Sequence, residues 1–222
     1  MSDLFGEQQH TDMPKANAPL ADRLRPASLD DVIGQEHLTG PEGAIGRMVA
    51  AGTLSSMILW GPPGTGKTSF ARLLADAVGM HYKPISAVFS GVADLKKAFA
   101  EAETMARTGK QTLLFVDEIH RFNRAQQDGF LPFVESGVVT LVGATTENPS
   151  SELNAALLSR TQVMVLRRLD DAALGTLLDR AEDAEQRKLP ITSDARSALI
   201  SSADGDARFL LNQSATLFSI AL

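Results

Sequence analysis

Short, nearly continuous apolar runs alternate along this chain with stretches of helical period. The runs lie at 57–60, 81–85, 112–117, 138–143 and 162–166, and the helical stretches between them at 67–78, 92–107, 123–136 and about 152–158. Thr112-Leu113-Leu114-Phe115-Val116 and Val138-Val139-Thr140-Leu141-Val142 lack the polar alternation of a half-exposed strand, so both of their faces must be covered. Strands of that kind separated by helices predict an α/β fold, a parallel five-stranded sheet with helices on both faces.

After Leu169 the pattern changes. Residues 170–188, 192–203 and 206–222 read as three helices, with Asp170 and Ser193 as N-caps and Asp204-Gly205 as a break. A small all-helical lid domain is therefore expected over 170–222. It ends inside its last helix without a C-cap, as expected of a piece of a longer protein. Ahead of the sheet, residues 1–20 are polar, hold two prolines and show no apolar period, which reads as a mobile arm. The α/β domain that holds the sheet is expected over 21–169. It opens on a compact segment with Ser28 as an N-cap, then a break at Gly40-Pro41 and a helix over 42–51.

The first strand, Met57-Ile58-Leu59-Trp60, runs directly into Gly61-Pro62-Pro63-Gly64-Thr65-Gly66-Lys67-Thr68, and Ser69 continues into a helix closed by Gly79. Strand, glycine-rich turn and helix are the context in which G-x-x-x-x-G-K-[ST] cradles phosphates. Backbone N–H groups and the positive end of the helix dipole point at the anion. Lys67 would reach the β- and γ-phosphates, and the Thr68 hydroxyl would sit on Mg²⁺. A bare Gly/Pro turn between strand and helix is the plain alternative, and it requires neither the lysine nor the hydroxyl. ATP with Mg²⁺ is the expected cofactor.

A triphosphate loop needs a metal partner and a group that activates water. Leu113-Leu114-Phe115-Val116 delivers Asp117 and Glu118 at a strand end, where ligands of α/β sheets bind. Asp117 would complete the Mg²⁺ shell and Glu118 would orient or deprotonate the attacking water. Two solvated acids at a strand end are the bland reading. One strand, 81–85, intervenes in sequence between the loop strand and this one, which favours an ATPase over a kinase-type protein. If the strand ending Gly143-Ala144-Thr145-Thr146 lies between the two, Thr146 could place the lytic water. The alternative there is a threonine pair capping the turn at Glu147-Asn148-Pro149.

Arg160 follows a short helix and precedes a strand, and Arg208 opens a helix of the last domain. Either, seen alone, is more often a solvated surface residue. His120 stands two residues after Glu118 and could tune it. No second ligand neighbours it in sequence, so zinc is not expected. His10, His37 and His81 read as ordinary, and Trp60 as packing on the sheet.

Composition narrows the partners. The chain of 222 residues is 44% hydrophobic and 5% aromatic, carries no cysteine and has a formal net charge of −6. Absent cysteine excludes disulfides and thiolate metal sites and fits a reducing, cytoplasmic setting. No apolar run reaches the roughly 18 residues of a membrane span, and the N-terminus lacks a signal peptide's basic and apolar regions. An acidic balance speaks against coating nucleic acid by bulk charge. Lys96-Lys97 and Arg121 with Arg124 leave room for a local basic surface.

These motifs together resemble an AAA+ ATPase: a box near Asp31-Val32-Ile33-Gly34-Gln35, the phosphate loop, Asp117-Glu118, Thr146, Ser159-Arg160 and Gly205-Asp206-Ala207-Arg208. Four further stretches narrow the likeness. They are Ala21-Asp22-Arg23-Leu24-Arg25-Pro26, 85–92, 117–124 and Gly143 to Ser150. These are similar to the replication-associated recombination protein A and Werner-helicase-interacting protein family. Ser151 departs from it, standing where the family suggests a large apolar residue. The resemblance implies that Val32 and Ile33 border the adenine. It also implies that Thr146 is sensor 1, Arg160 an arginine finger given to a neighbour, and Arg208 sensor 2. Also implied are work at stalled or damaged forks, contact with DNA gaps or ends and with single-strand-binding protein, and homo-oligomerisation through a helical domain that this chain lacks. A clamp-loader-like subunit, a branch-migration motor and a nucleotide-sensing adaptor with little turnover are the other readings of the same motifs.

Overall fold

The computed structural model describes residues 18–220, so the arm expected over 1–20 lies largely outside the described residues. Five strands, β1 (Met57–Trp60), β2 (His81–Ser86), β3 (Thr112–Asp117), β4 (Val139–Thr145) and β5 (Gln162–Val165), form one sheet in the order β2-β3-β4-β1-β5. Every pairing is parallel. β4 therefore lies between the strand that feeds the phosphate loop and the strand that delivers the carboxylates.

Burial follows the strand period of two. Met57 and Leu59 face one core with Leu113, Phe115 and Val142, while Ile58 faces the other with Leu114, Val116 and Leu141. β3 and β4, both interior strands, are buried almost throughout. β2 is an edge strand and so tolerates Pro84, whose missing N–H would break a central ladder.

One face is covered by α2 (Glu36–Thr39), α3 (Ala44–Ala50) and α4 (Lys67–Ala77), through Leu38, Ile45, Phe70 and Leu74. The other is covered by α5 (Val92–Arg107), α6 (Arg124–Asp128), α7 (Leu131–Glu135), α8 (Pro149–Glu152) and α9 (Ala155–Leu158). There Phe99 stacks on Phe133 at 4.0 Å and meets Phe130 edge-on at 5.6 Å.

A third core belongs to α10 (Asp171–Glu185), α11 (Ser193–Ala203) and α12 (Ala207–Ile220), built on Leu174, Leu178, Leu210 and Phe218. α1 (Leu20–Arg23) joins this core through Leu20 rather than the sheet, and Arg23 pairs with Glu185 at 2.5 Å.

Several boundaries differ from the sequence expectations. The single helix expected over 123–136 is two, interrupted at Gly129-Phe130, with Pro132 in the first turn of α7, where its missing N–H costs nothing. The stretch at 152–158 is likewise two short helices, capped by Asn148 and Asn154. The cap of α11 is Thr192, whose Oγ1 accepts from Ala195 N at 3.2 Å, and not Ser193. Asp170 caps α10 as expected, accepting from Ala173 N at 2.7 Å. α10 stops at Glu185 because Gln186 turns into left-handed backbone. Ser151 is exposed on α8, a position that asks for no apolar side chain.

Candidate active site

The phosphate loop is shaped by backbone that favours glycine. Gly64 and Gly66 have φ of +74° and +84°, and α4 starts at Lys67 with its first amides facing the loop. Thr65 is buried and donates to Pro62 O at 2.9 Å, closing the turn on itself. Lys67 is 8% exposed, and its ammonium donates to Gly61 O at 2.7 Å and Pro62 O at 2.8 Å. Burial pushes its pKa below the ordinary lysine value, against the opposing pull of Glu118 and Asp117. Arg208 pushes it the same way as burial, and Asp206 opposes. Four charged side chains, two from the end of β3 and two from the start of α12, thus act on the Lys67 ammonium.

Asp117 ends β3, with its carbonyl accepting from Ala87 N at 2.9 Å. Glu118 follows in left-handed backbone at φ 53°, a conformation costly for a residue with a Cβ. The turn throws its carboxylate away from the strand line and next to His120. Thr68, in the first turn of α4, is exposed. Its hydroxyl and the Asp117 carboxylate are hard oxygen donors, and Mg²⁺ is typically held by one or two carboxylates plus substrate phosphates. The donor set therefore fits Mg²⁺. Among the described residues there is no cluster of three His, Asp or Glu, so no all-protein metal cage competes with it.

The turn after β4 differs from the sequence reading in one respect. The strand runs to Thr145, which is fully buried, while Thr146 lies half-buried in the turn beyond it. Thr145 Oγ1 lies 2.8 Å from His120 Nδ1 and accepts from Glu147 N at 3.0 Å. His120 Nδ1 is also 3.3 Å from Glu118 Oε2. Sequence singled out His120 for its nearness to Glu118, but only the strand order brings Thr145 to both.

Val32 and Ile33 divide between two cores: Val32 packs on the sheet side and Ile33 on the helical side. Next to them Gln35 is fully buried, accepting from Arg167 N at 3.0 Å and donating to Arg167 O at 2.8 Å. Arg180 of α10 adds a bond to Asp31 O at 2.8 Å. The box at 31–35 is thus bonded to the connection between β5 and the helical unit. A lone glutamine carries no local signal for this.

Arg160 lies elsewhere. It pairs with Glu135 at 2.5 Å and borders a shallow groove with Leu54, Ser55, Gln111 and Gly137. Those residues precede β1, β3 and β4, so Arg160 stands at the opposite edge of the sheet from the phosphate loop. The four residues of β1 alone span about 13 Å at roughly 3.3 Å each. Arg208, by contrast, is exposed at the start of α12 and close enough to Lys67 to act on its charge. A groove of about 600 Å³ between α5 and the 123–133 segment is mainly apolar and does not include the phosphate loop.

The sequence model of the ATPase family associated with various cellular activities (AAA) matches residues 57–169, from β1 to just past β5. The chain is 49% identical over 199 residues to replication-associated recombination protein A of Coxiella burnetii, covering 87% of this chain and 45% of the relative. It is 44% identical over 202 residues to the ATPase WRNIP1 of Dictyostelium discoideum, covering 89% of this chain and 23% of the relative. Among solved structures it superposes on the Thermotoga maritima RuvB Holliday junction branch migration motor with a TM-score of 0.70 and 27% identity, over 86% of this chain and 64% of that one. The chain spans less than half the length of the curated relatives it matches. The phosphate loop, the acid pair at the end of β3 and the β2-β3-β4-β1-β5 order agree with that match, and the chain belongs to the AAA family of ATPases.

Proposed function

We propose that this chain is the ATP-hydrolysing unit of a protein that acts on DNA at stalled or damaged replication forks, in recombination-linked repair. The observation that carries the ATPase part is that Lys67 of the phosphate loop and the Asp117-Glu118 pair after β3 stand at the C-terminal edge of one sheet, with Asp206 of α12 packed against Gly64 of the loop. With Mg²⁺ bound, Thr68 and Asp117 would hold the ion, which supplies charge to the β- and γ-phosphates. The loop amides and Lys67 bind the triphosphate, and Glu118 orients and deprotonates the water. Thr146 places that water from the neighbouring turn, Val32 and Ile33 border the adenine, and Arg208 closes on the phosphates from the helical lid.

Arg160 is assigned to the site of an adjacent subunit, because its place across the sheet keeps it from its own. This makes the working form a homo-oligomer. DNA with gaps or ends and a single-strand-binding protein are its proposed partners, and the cytoplasm its compartment. The name of the Coxiella burnetii relative, replication-associated recombination protein A, supports the link to replication and recombination. A nucleotide-sensing adaptor would have no need of Glu118 held in costly backbone beside a histidine.

The test is ATP turnover measured alone and with blunt, gapped and single-stranded DNA added separately, on the chain within its oligomer. Stimulation by at least one of the three is expected. Turnover indifferent to all of them would remove the fork assignment while leaving the ATPase. Junction branch migration, or loading of a sliding clamp, would transfer it to one of the other two motor classes.

A further inference from the structure

The Arg160 guanidinium is held by its own subunit on two sides. Its Nε donates to Glu135 Oε1 at 2.5 Å, and its Nη1 donates to Ala156 O at 2.8 Å and to Ser159 Oγ at 3.0 Å. Nη2 shares the ion pair with Glu135 Oε1. A guanidinium carries five N–H donors. Three are taken by these bonds, and among the described residues neither hydrogen of Nη2 finds a hydrogen-bond acceptor.

The supports of this arrangement are themselves fixed. Glu135 ends α7, whose Phe133 stacks on Phe99 and whose flanking Phe130 is fully buried. Arg160 follows α9, which is anchored by the fully buried Leu157. Asn154, the cap of α9, accepts from Leu157 N at 2.7 Å, and its own N–H donates to Gln127 Oε1 at 2.8 Å. Gln127 is buried and belongs to α6. The two short helices after the acid pair and the helix before Arg160 thus form one frame that carries the ion pair.

We infer that Glu135 is a positioning residue for Arg160: it fixes the guanidinium with Nη2 left open, for a γ-phosphate held by the neighbouring subunit. The inference rests on the reading of Arg160 as a residue given to an adjacent site. The opposite role, a sheath that the neighbour must strip away, is limited by magnitude. The side chains of Arg160 and Glu135 are 37% and 50% exposed, and an exposed ion pair is worth at most about fivefold in an equilibrium. Misplacing a reacting group by about 1 Å costs about 100-fold. Positioning outweighs sheathing, so losing Glu135 slows turnover.

Two measurements test it. The first compares ATP turnover within the oligomer for Arg160→Ala, Glu135→Ala and Glu135→Gln. Glu135→Ala should lower kcat about 10- to 100-fold, with KM and affinity for a fluorescent ATP analogue within about twofold. Glutamine keeps an acceptor for Nε and should recover most of that loss. Adding Glu135→Ala to Arg160→Ala should cost nothing more, because the carboxylate acts through the guanidinium. Mixed subunits locate the defect. Glu135→Ala mixed with Glu118→Gln should regain part of the rate, since some sites then join an intact Glu118 to an intact pair of Arg160 and Glu135. Glu135→Ala mixed with Arg160→Ala should give no more than the average of the two unmixed rates, because every finger is then impaired. A merely structural role would not sort the mixtures this way. Recovery in the second mixture overturns the positioning role and leaves the finger in place. So does a kcat for Glu135→Ala at or above wild type while Arg160→Ala is inactive. If Arg160→Ala itself turns over at the wild-type rate, the trans assignment falls and the positioning role with it.

The second measurement needs no turnover: the Nε–H resonance of Arg160 in ¹⁵N-arginine protein, assigned with Arg160→Lys. Its exchange with water should quicken in Glu135→Ala and keep the wild-type rate in Glu135→Gln. Equal exchange in all three proteins would overturn the contact whatever the rates.

Discussion

The carboxylate of Asp206, at the start of α12, rests on the α-carbon of Gly64 in the phosphate loop, so close that a methyl group on Gly64 would overlap it. The same carboxylate caps α12 by accepting from Phe209 N at 2.9 Å. An anion therefore sits over the loop built to bind anions. Asp206→Asn keeps an oxygen for the cap and removes the charge opposing the triphosphate. It should tighten ATP binding about fivefold, the equivalent of about 1 kcal/mol for one screened charge, with the melting temperature unchanged. Titration calorimetry checks this, and weaker binding would show that the carboxylate helps close the lid. Gly64→Ala should lose nucleotide binding altogether, since φ of +74° and the overlap both oppose it.

Lys67→Ala should abolish tight ATP binding with the fold intact, because its ammonium bonds to the loop's own carbonyls, Gly61 O and Pro62 O. Glu118→Gln should bind ATP and stall, since the groups that hold nucleotide and metal survive. A fluorescent analogue separates the two variants, and equal affinities would contradict both roles.

Burial also gives Lys67 a signature in pH. Its folded-state pKa lies below the ordinary value of 10.5, so between the two the unfolded chain binds the extra proton. Stability of the ATP-free chain should rise with pH across that alkaline window and lose this component of the slope in Lys67→Met. ATP binding should weaken as pH rises through the same window, because the neutral amine no longer pairs with phosphate. Melting curves with and without ATP read both.

In the helical unit, Glu182 is 5% exposed and accepts from Lys188 at 2.8 Å, Leu189 N at 3.1 Å and Arg196 at 2.9 Å. Burial pushes its carboxyl up, but these partners outweigh it and hold the pKa below the ordinary 4.5. The stability it contributes is present above pH 4.5 and is lost as pH falls through the lowered folded value. Glu182→Gln should cost about 1–3 kcal/mol at neutral pH, as expected when hydrogen bonds to charged partners are broken. It should also flatten the acid limb of a thermal melt series.

Arg160→Ala should leave ATP affinity of the isolated chain unchanged, since Arg160 sits with Glu135 across the sheet from Lys67. Within the oligomer it should lower turnover by roughly 10³ to 10⁵, the range for an arginine supplied by a neighbour. Mixing it with Glu118→Gln subunits should restore part of the rate. No recovery in the mixture would end the trans assignment.

The sheet and its phosphate loop were legible because their signals are local: apolar runs for β3 and β4, glycine spacing for 61–68, an unbroken helical period for α5. The break at Gly129-Phe130 was also available, since Pro132 cannot donate in a helix interior, but the apolar period across it reads as continuous. Thr145 and Asp206 were not legible as contacts. Each matters through a partner distant in the chain, Thr145 through the strand order and Asp206 through the approach of α12 to the loop. Gln35 likewise gains its meaning only from Arg167, with 132 positions of sequence separation between them.

That glutamine acts as one more rung of sheet on a strand that has already left it. Its amide copies a peptide unit, taking an N–H and offering one to Arg167 as a neighbouring strand would. The last residues before the helices are thus clasped to the segment carrying Val32 and Ile33. Any swing of α10–α12 on nucleotide binding would turn about this clasp as about a hinge pin, dragging the proposed adenine wall with it. Base and γ-phosphate would then be sensed in a single movement.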